Sequence, residues 1–492
     1  MTYFRIAASV CFITLLSAPG AMAAPATADG AARLTGVLQR YLGTTAGVVT
    51  VTPEGESYAV VLDAGPLFAL IPAEGATMTV TPQHLTLTDQ GGGLWKVAQD
   101  ETVGFTLNMP NAMDMTMQIG SLTWEGVYDE SLSGFQHWSA DMTDMTMVQT
   151  VEPTPETPGQ DVTYSIATTH GEFSAVKGTT AGSDGSYTSF GTGFRETVTI
   201  ADSPAMPGGM MIEVSAEEVL QDGSFKGMRS AQILDLVAFF VAHPSESAIK
   251  TDQEALRGLV QGALPLFDML GGSFAYKNVT VTTPFGGGAA DSLSVTVDMA
   301  GLVADGSLRE KFTVGGLTLS DGLVPDWARD LVPTSFTFDI AGAGFNLADP
   351  AAMIVGALDL TAEPPLKDEM GAPLLAALLP DGNFDLTFAP GQVVAPLYQL
   401  DFDGAMQVAV DGTPPTGQGT IRATGMDAVI EAVNKGPADV AQNLGMALSM
   451  MRGMGKVGGV GELVWKLDAT EPGTFKVNDL DLSAMGAMMD QP

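Results

Sequence analysis

Methionine is the residue whose abundance and spacing could carry chemistry in this chain, with 27 among 492 residues. Met113, Met115 and Met117 alternate along one stretch, and Met145 and Met147 along another, within the echoing phrases Asp114-Met115-Thr116-Met117 and Asp144-Met145-Thr146-Met147. A period of two on a strand turns each set toward a single face. Soft thioethers select Cu(I), so Met113, Met115, Met117, Met145 and Met147 are the metal candidates. The plainer reading is core packing, because flexible thioethers fill irregular interiors; a third is a lining that adapts to varied apolar ligands. Met446, Met450 and Met454 make a similar stripe at helical spacing.

Other chemical signals are weaker. His84, His137, His170 and His243 lie far apart, with no His-Glu-x-x-His spacing. His137-Trp138 fits a strand and His243 a helix end. Gly271-Gly272-Ser273-Phe274-Ala275 departs from the Gly-x-Ser-x-Gly elbow and reads as a helix C-cap entering a strand. Gly453-Met454-Gly455-Lys456-Val457-Gly458 matches Gly-x-Gly-x-x-Gly, but a helix precedes it and a strand follows, the reverse of a dinucleotide site. Asp401-Phe402-Asp403-Gly404 opens like a calcium loop and lacks its remaining ligands. With 57 acidic residues, spacing alone singles out no general acid and base. No catalytic residue and no cofactor is nominated, and a carboxylate-dependent hydrolase stays as an alternative.

The elements that must position these residues begin after an export signal. Arg5 supplies the positive start, Ile6 to Leu16 the apolar stretch, and Ala21-Met22-Ala23 the small-residue pattern, so cleavage falls between Ala23 and Ala24. Cys11 leaves with the signal, and the mature chain then has neither disulfide nor thiolate chemistry. Loss of Arg5 leaves 20 basic against 57 acidic residues, a formal charge of −37 that repels nucleic acid and anionic headgroups. No later stretch reaches the roughly 18–20 apolar residues that cross a bilayer.

Asp29 is expected to cap a helix with Leu34, Val37, Leu38, Tyr41 and Leu42 on its apolar face, ended by Gly43. Alternating runs from Val48 to Val151 read as an antiparallel meander. The proline-rich 151–160 is a linker or a long hairpin tip, after which strands resume. Helices are expected over Arg229 to Ala242, with Ile233, Leu234, Val237, Phe240 and Val241 inward, and over Thr251 to Leu270 with a kink at Pro265. Later strands include Leu397 to Asp403 and Ala405 to Val410, and later helices Met426 to Asn434 and Ala438 to Met454.

A unit of Asp-Gly turn, short strand and glycine followed by a large apolar residue recurs at Asp222-Gly223 with Gly227-Met228, at Asp305-Gly306 with Gly316-Leu317, and at Asp411-Gly412 with Gly425-Met426. The fold class is therefore mainly β (α+β): an extended antiparallel, curved meander with amphipathic helices packed on one side. The segments are 1–23, the signal; 24–150, helix plus meander; 151–160; 161–271, meander ending in two helices; and 272–492, a β-rich region with two further units.

The export signal, the cysteine-free mature chain and the acidic Gly- and Thr-rich meanders with apolar helices resemble the Gram-negative exported proteins grouped as domain of unknown function 2125. More distantly they are similar to AsmA-like envelope proteins. The first resemblance implies no activity; the second implies sheets that handle lipids or assist outer-membrane assembly. Sequence and resemblance together lead to the expectation of a non-enzymatic periplasmic envelope protein that binds lipid or an apolar or polypeptide partner.

Overall fold

Helix α1 (Ala28–Leu42) starts where a threonine can satisfy a free amide: Thr27 Oγ1 accepts from the Gly30 amide at 3.0 Å. The cap is thus Thr27 rather than Asp29, which sits in the first turn and complements the helix dipole instead. The computed structural model describes residues 25–68, 75–154, 157–179, 181–203 and 206–483, and over these the chain is mainly β. The export signal and its cleavage point at Ala23 and Ala24 lie outside the described residues. The chain divides into two compact units.

The first unit runs to Leu270 and adds Ala351–Asp368. After α1 come β1 (Val49–Glu54), β2 (Ser57–Leu62), the short α2 (Gly65–Phe68), β3 (Thr77–Val80), β4 (Gln83–Gly91) and β5 (Leu94–Met109). Five long strands follow: β6 (Met113–Asp129), β7 (Gly134–Val151), β8 (Gln160–Lys177), β9 (Ser183–Ile200) and β10 (Met210–Met228). Helices α3 (Ser230–Ala242), α4 (Glu246–Thr251) and α5 (Gln253–Ala263) come next. β1 pairs with β2 and β2 with β4. β4 and β3 then share the two ends of β5, and each strand from β5 to β10 pairs antiparallel with the next. This is the meander that the alternating runs predict. Strands β5 to β10 have 16 to 19 residues, well beyond the ordinary length of about 5–6.

Leu34 and Leu38 of α1 are buried against Val49, Tyr58, Val60, Leu87, Trp95, Val97 and Tyr128. That cluster occupies one end of the sheet, on the face that carries Trp95, Val97 and Tyr128. Trp95 Nε1 donates to Glu130 Oε1 at 3.0 Å beside it.

Several local expectations change. Segment 151–160 is a hairpin tip, since Val151 pairs with Gln160. Asp222-Gly223 lies within β10, opposite Thr188 and Tyr187, because 19 residues of β10 follow the long strand β9 without a turn. In α3 the inward aromatic is Phe239, and Phe240 is 48% exposed, so the buried face is rotated by one residue. The helix expected to Leu270 ends at Ala263; Pro265 has no amide to continue it, and a strand begins at Met269. Gly271 to Ala275 therefore sits inside that strand and caps nothing.

The second unit comprises Gly271–Pro350 and residues from Glu369 onward. β11 (Met269–Thr283) runs across the division and is followed by β12 (Gly286–Ala300), β13 (Gly306–Gly315), β14 (Thr318–Leu319), a 3-10 turn at Asp326–Leu331 and β15 (Ser335–Phe345). Helix α6 (Ala348–Ala357) falls mostly in the Ala351–Asp368 segment of the first unit, and the second unit resumes with α7 (Gly371–Leu378), β16 (Asn383–Val394), β17 (Gln399–Ala409), β18 (Thr416–Thr424), α8 (Met426–Asn434) and α9 (Ala438–Met454). β19 (Lys456–Val457), β20 (Glu462–Ala469), β21 (Lys476–Val477) and β22 (Leu480–Asp481) complete it. The ladder order is β12, β13, β15, β16, β17, β18, β20, again antiparallel throughout. The two strands expected over Leu397 to Val410 are one, because Gly404 stays in register with Phe388 and Gly419. Gly316 leads through β14 to the 3-10 turn at Asp326–Leu331. Gly425 does open a helix: its φ is +80°, and a Cβ there would lie 1.9 Å from the Leu397 carbonyl oxygen, so only glycine fits. Met446 and Met450 of α9 point outward, at 67% and 58% exposure, whereas Met454 packs against the cluster of Ala423, Trp465 and Val477, so the stripe meets the core only at its C-terminal end.

Candidate apolar binding face

The two methionine sets stand on neighbouring strands and share one face of the first unit's sheet. In the β6–β7 ladder Met117 is directly opposite Met147 and Ile119 opposite Met145, while Met113 faces Val151. Residues paired in this way project to the same side. The Met117 row therefore reads Phe105, Met117, Met147, Tyr164, Glu196, Val214 from β5 to β10. Its neighbour reads Leu107, Met115, Gln149, Val162, Val198, Ile212. Every one of these residues is half-buried rather than buried. The reverse face is polar: the row Thr106, Thr116, Val148, Thr163, Thr197, Glu213 is exposed apart from a half-buried Thr197.

Keeping one face apolar over strands this long requires a change of phase, and it occurs on one line. In β6 the apolar positions are 113, 115, 117 and 119, then 122 and 124; in β7 they are 147 and 145, then 142 and 140. The ladder pairs Ile119 with Met145 and then Leu122 with Met142. β8 shifts between Ile166 and Thr169, β9 between Phe194 and Gly191, and β10 between Ala216 and Val219. An unshifted strand would turn every later side chain to the opposite face. The shift needs left-handed backbone at two places, Asp144 with φ +52° and Gly193 with φ +69°. Thr169 Oγ1, buried and without a partner, sits on this line. Beyond it the same face turns aromatic, where Trp138 stacks on Phe173 at 5.7 Å and Phe173 on Phe225 at 6.0 Å, over the glycines Gly171 and Gly185.

The remaining candidates separate. His170 lies on the polar face with Nδ1 2.8 Å from Asp141 and Nε2 3.5 Å from Glu172. Its hydrogen bond to Asp141, and then that to Glu172, raise its pKa above the ordinary imidazole value. His243 caps α3, held between the Phe239 carbonyl and Asp252 at 2.7 Å each, and these raise its pKa in that order. His84 meets Glu101 at 3.0 Å, and His137 is exposed on β7. Among the described residues no three His, Cys, Asp or Glu side chains come together as a metal site. Asp401 and Asp403 lie within a strand, not a loop, and accept from Gln392 and Gln399 and from Arg422 respectively. The buried acids Asp129 and Asp339 are likewise engaged, by Gln136 and the Ser131 amide and by Arg309. Gly453 to Gly458 joins α9 to β19, the helix-to-strand order expected.

Sequence reasoning found the methionines but not that both sets make one surface with Tyr164, Val198 and Ile212. The available signals were the echoed Asp-Met-Thr-Met phrases and the departures from strict alternation at Gly120 and Gly193.

No protein-family model, no curated protein and no solved structure matches the chain.

Proposed function

We propose that this protein is an exported, non-enzymatic envelope protein that holds the acyl part of a lipid against the methionine-lined face of its first sheet. One observation carries the reading: a mainly apolar face across β5 to β10, interrupted in these two rows by Gln149 and Glu196, is left half-exposed while the reverse face is mostly polar. From Met113 to Ile119 and from β5 to β10 it measures roughly 20 by 24 Å, the scale of an extended acyl chain. Burying methylenes there contributes about 0.8 kcal/mol each. Thioethers adapt to chains of different shape, which suits a lipid better than a rigid ligand. Export is supported by Arg5, the Ile6 to Leu16 stretch and Ala21-Met22-Ala23; amino-terminal sequencing of the secreted protein should begin at Ala24.

The direct test is displacement of a fluorescent fatty acid from wild type and from Met117→Glu/Met147→Glu. These side chains are half-exposed, so the variant is expected to fold and to bind about tenfold more weakly or worse. Equal binding by both proteins, or none by wild type, overturns the reading.

A second reading has its own observation. Met117 and Met147 are a directly opposed pair, with Met115 and Met145 diagonal to them, which groups four thioethers on one face. Cu(I) titration of the same variant tests it; a site of this kind loses Cu(I) on the double substitution.

A further inference from the structure

One side chain is foreign by type to the apolar face of the first unit. Glu196 of β9 lies in the Met117 row, directly opposite Tyr164 of β8 and Val214 of β10. Phe194 and Val198, two residues to either side along β9, project with it. Phe194 is buried, and its ring meets that of Tyr164 edge-on, with 5.3 Å between centroids. Glu196 is itself half-buried, and among the described residues its carboxylate has no hydrogen-bond or ion-pair partner. Glu101 supplies the contrast. It projects to the same side from β5, opposite Leu122, but accepts from the His84 amide at 3.2 Å and from Gln99.

That unpaired charge decides what can lie over this part of the sheet. A carboxylate drawn out of water is costly unless it is paired. A plain hydrocarbon laid along the row across β9 would cover Glu196 and pair it with nothing. The neighbouring strands supply no cation either. Neither the Met117 row nor the row beside it holds a Lys or Arg, and Arg195 projects to the reverse side, opposite Ser165 and Ser215. The occupant must therefore bring its own positive charge. An ammonium nitrogen fits both neighbours, since it donates charge-assisted hydrogen bonds to the carboxylate and is attracted to the face of an aromatic ring such as Tyr164. Met147 stands two strands from Glu196 along the row, about 10 Å at the usual strand spacing, and Met117 one strand further. An amphiphile with its nitrogen at Glu196 can thus run its hydrocarbon past Tyr164 onto the methionines.

We propose that Glu196, with Tyr164 beside it, is the headgroup position of this face and selects lipids whose polar end carries a primary ammonium group. The proposal rests on the acyl-binding reading and names the class of lipid that the face would take.

The test is competition against the fluorescent fatty acid by pairs of amphiphiles with equal chains. Dodecylammonium against dodecanol represents a simple long-chain amine, and lysophosphatidylethanolamine against lysophosphatidylglycerol an aminophospholipid. In at least one pair the ammonium member should displace the probe from wild type at about tenfold lower concentration than its partner. Glu196→Gln, nearly the same shape, should lose that preference. Glu213→Gln removes the same charge from the exposed reverse side of β10 and should keep it, which separates a local site from attraction to an acidic protein. If the probe does not bind wild type, the acyl-binding reading fails and this proposal with it. If the probe binds and neither pair shows a preference, or the preference survives Glu196→Gln, the proposal alone is overturned. It is overturned equally if Glu213→Gln abolishes the preference as fully as Glu196→Gln does.

Discussion

Glu130 is held in two conflicting ways: one oxygen accepts from Trp95 Nε1, and the other is buried with no partner. Burial is the main cause that holds its pKa above the ordinary carboxylate value. Because the folded-state pKa is the raised one, ionised Glu130 weakens the fold at neutral pH, and stability is recovered as pH falls through the folded pKa toward the unfolded value. Glu130→Gln keeps an acceptor for Trp95 and should remove this slope. The check is the wild-type minus variant unfolding free energy between pH 7 and mildly acidic pH; a difference that stays flat would count against it. Asp339 has the opposite sign. Arg309 bonds both its oxygens, at 2.9 and 2.7 Å, and holds its carboxyl below the usual range. That contribution is fully present above the unfolded carboxylate pKa and is lost as pH falls through the lower folded one. Arg309→Met leaves a buried carboxylate unpaired, and since Arg309 is half-exposed the expected loss is about 1–3 kcal/mol by urea unfolding.

At the scale of elements, Thr27→Ala should destabilise by about 1 kcal/mol, since it removes the acceptor for the Gly30 amide. Gly193→Ala must adopt φ +69° and place its Cβ 2.9 Å from that of Ala167, so a loss of at least about 1 kcal/mol is expected in the same assay. Local pattern made most elements legible: the apolar spacing of Leu34 and Leu38 predicts α1, and alternation predicts the strands of the meander. What it could not supply was choice among local options. Thr27 and Asp29 are both good caps, and only the path of the chain into α1 selects Thr27. Phe239 and Phe240 are adjacent, and tertiary packing decides which turns inward. Asp222-Gly223 carries turn chemistry, yet strand β9 offers it partners in register, and the ladder prevails. The apolar face was half visible for the same reason: alternation aligns Met113 to Met117, but nothing local says that β7 lies beside β6 with Met147 opposite Met117.

For the molecule as a whole, a formal charge of −36 sets a background of self-repulsion. Moving from low salt to roughly 0.3 M should raise the melting temperature, because the screening length shrinks to well under 10 Å; a melting temperature that falls or holds steady would mean that ion pairs such as Arg309–Asp339 and Arg229–Asp268 outweigh repulsion. The line of phase changes across β6 to β10 has a consequence for how such a chain can vary. Each strand keeps its apolar face only because its neighbours shift at the same place. Removing one residue from a single strand would invert half of it, whereas residues can be gained or lost freely at the tips, such as 152–159 and 201–209. Strand length is therefore a shared property of the sheet, and the sheet can lengthen or shorten only in concert, while its loops drift one at a time.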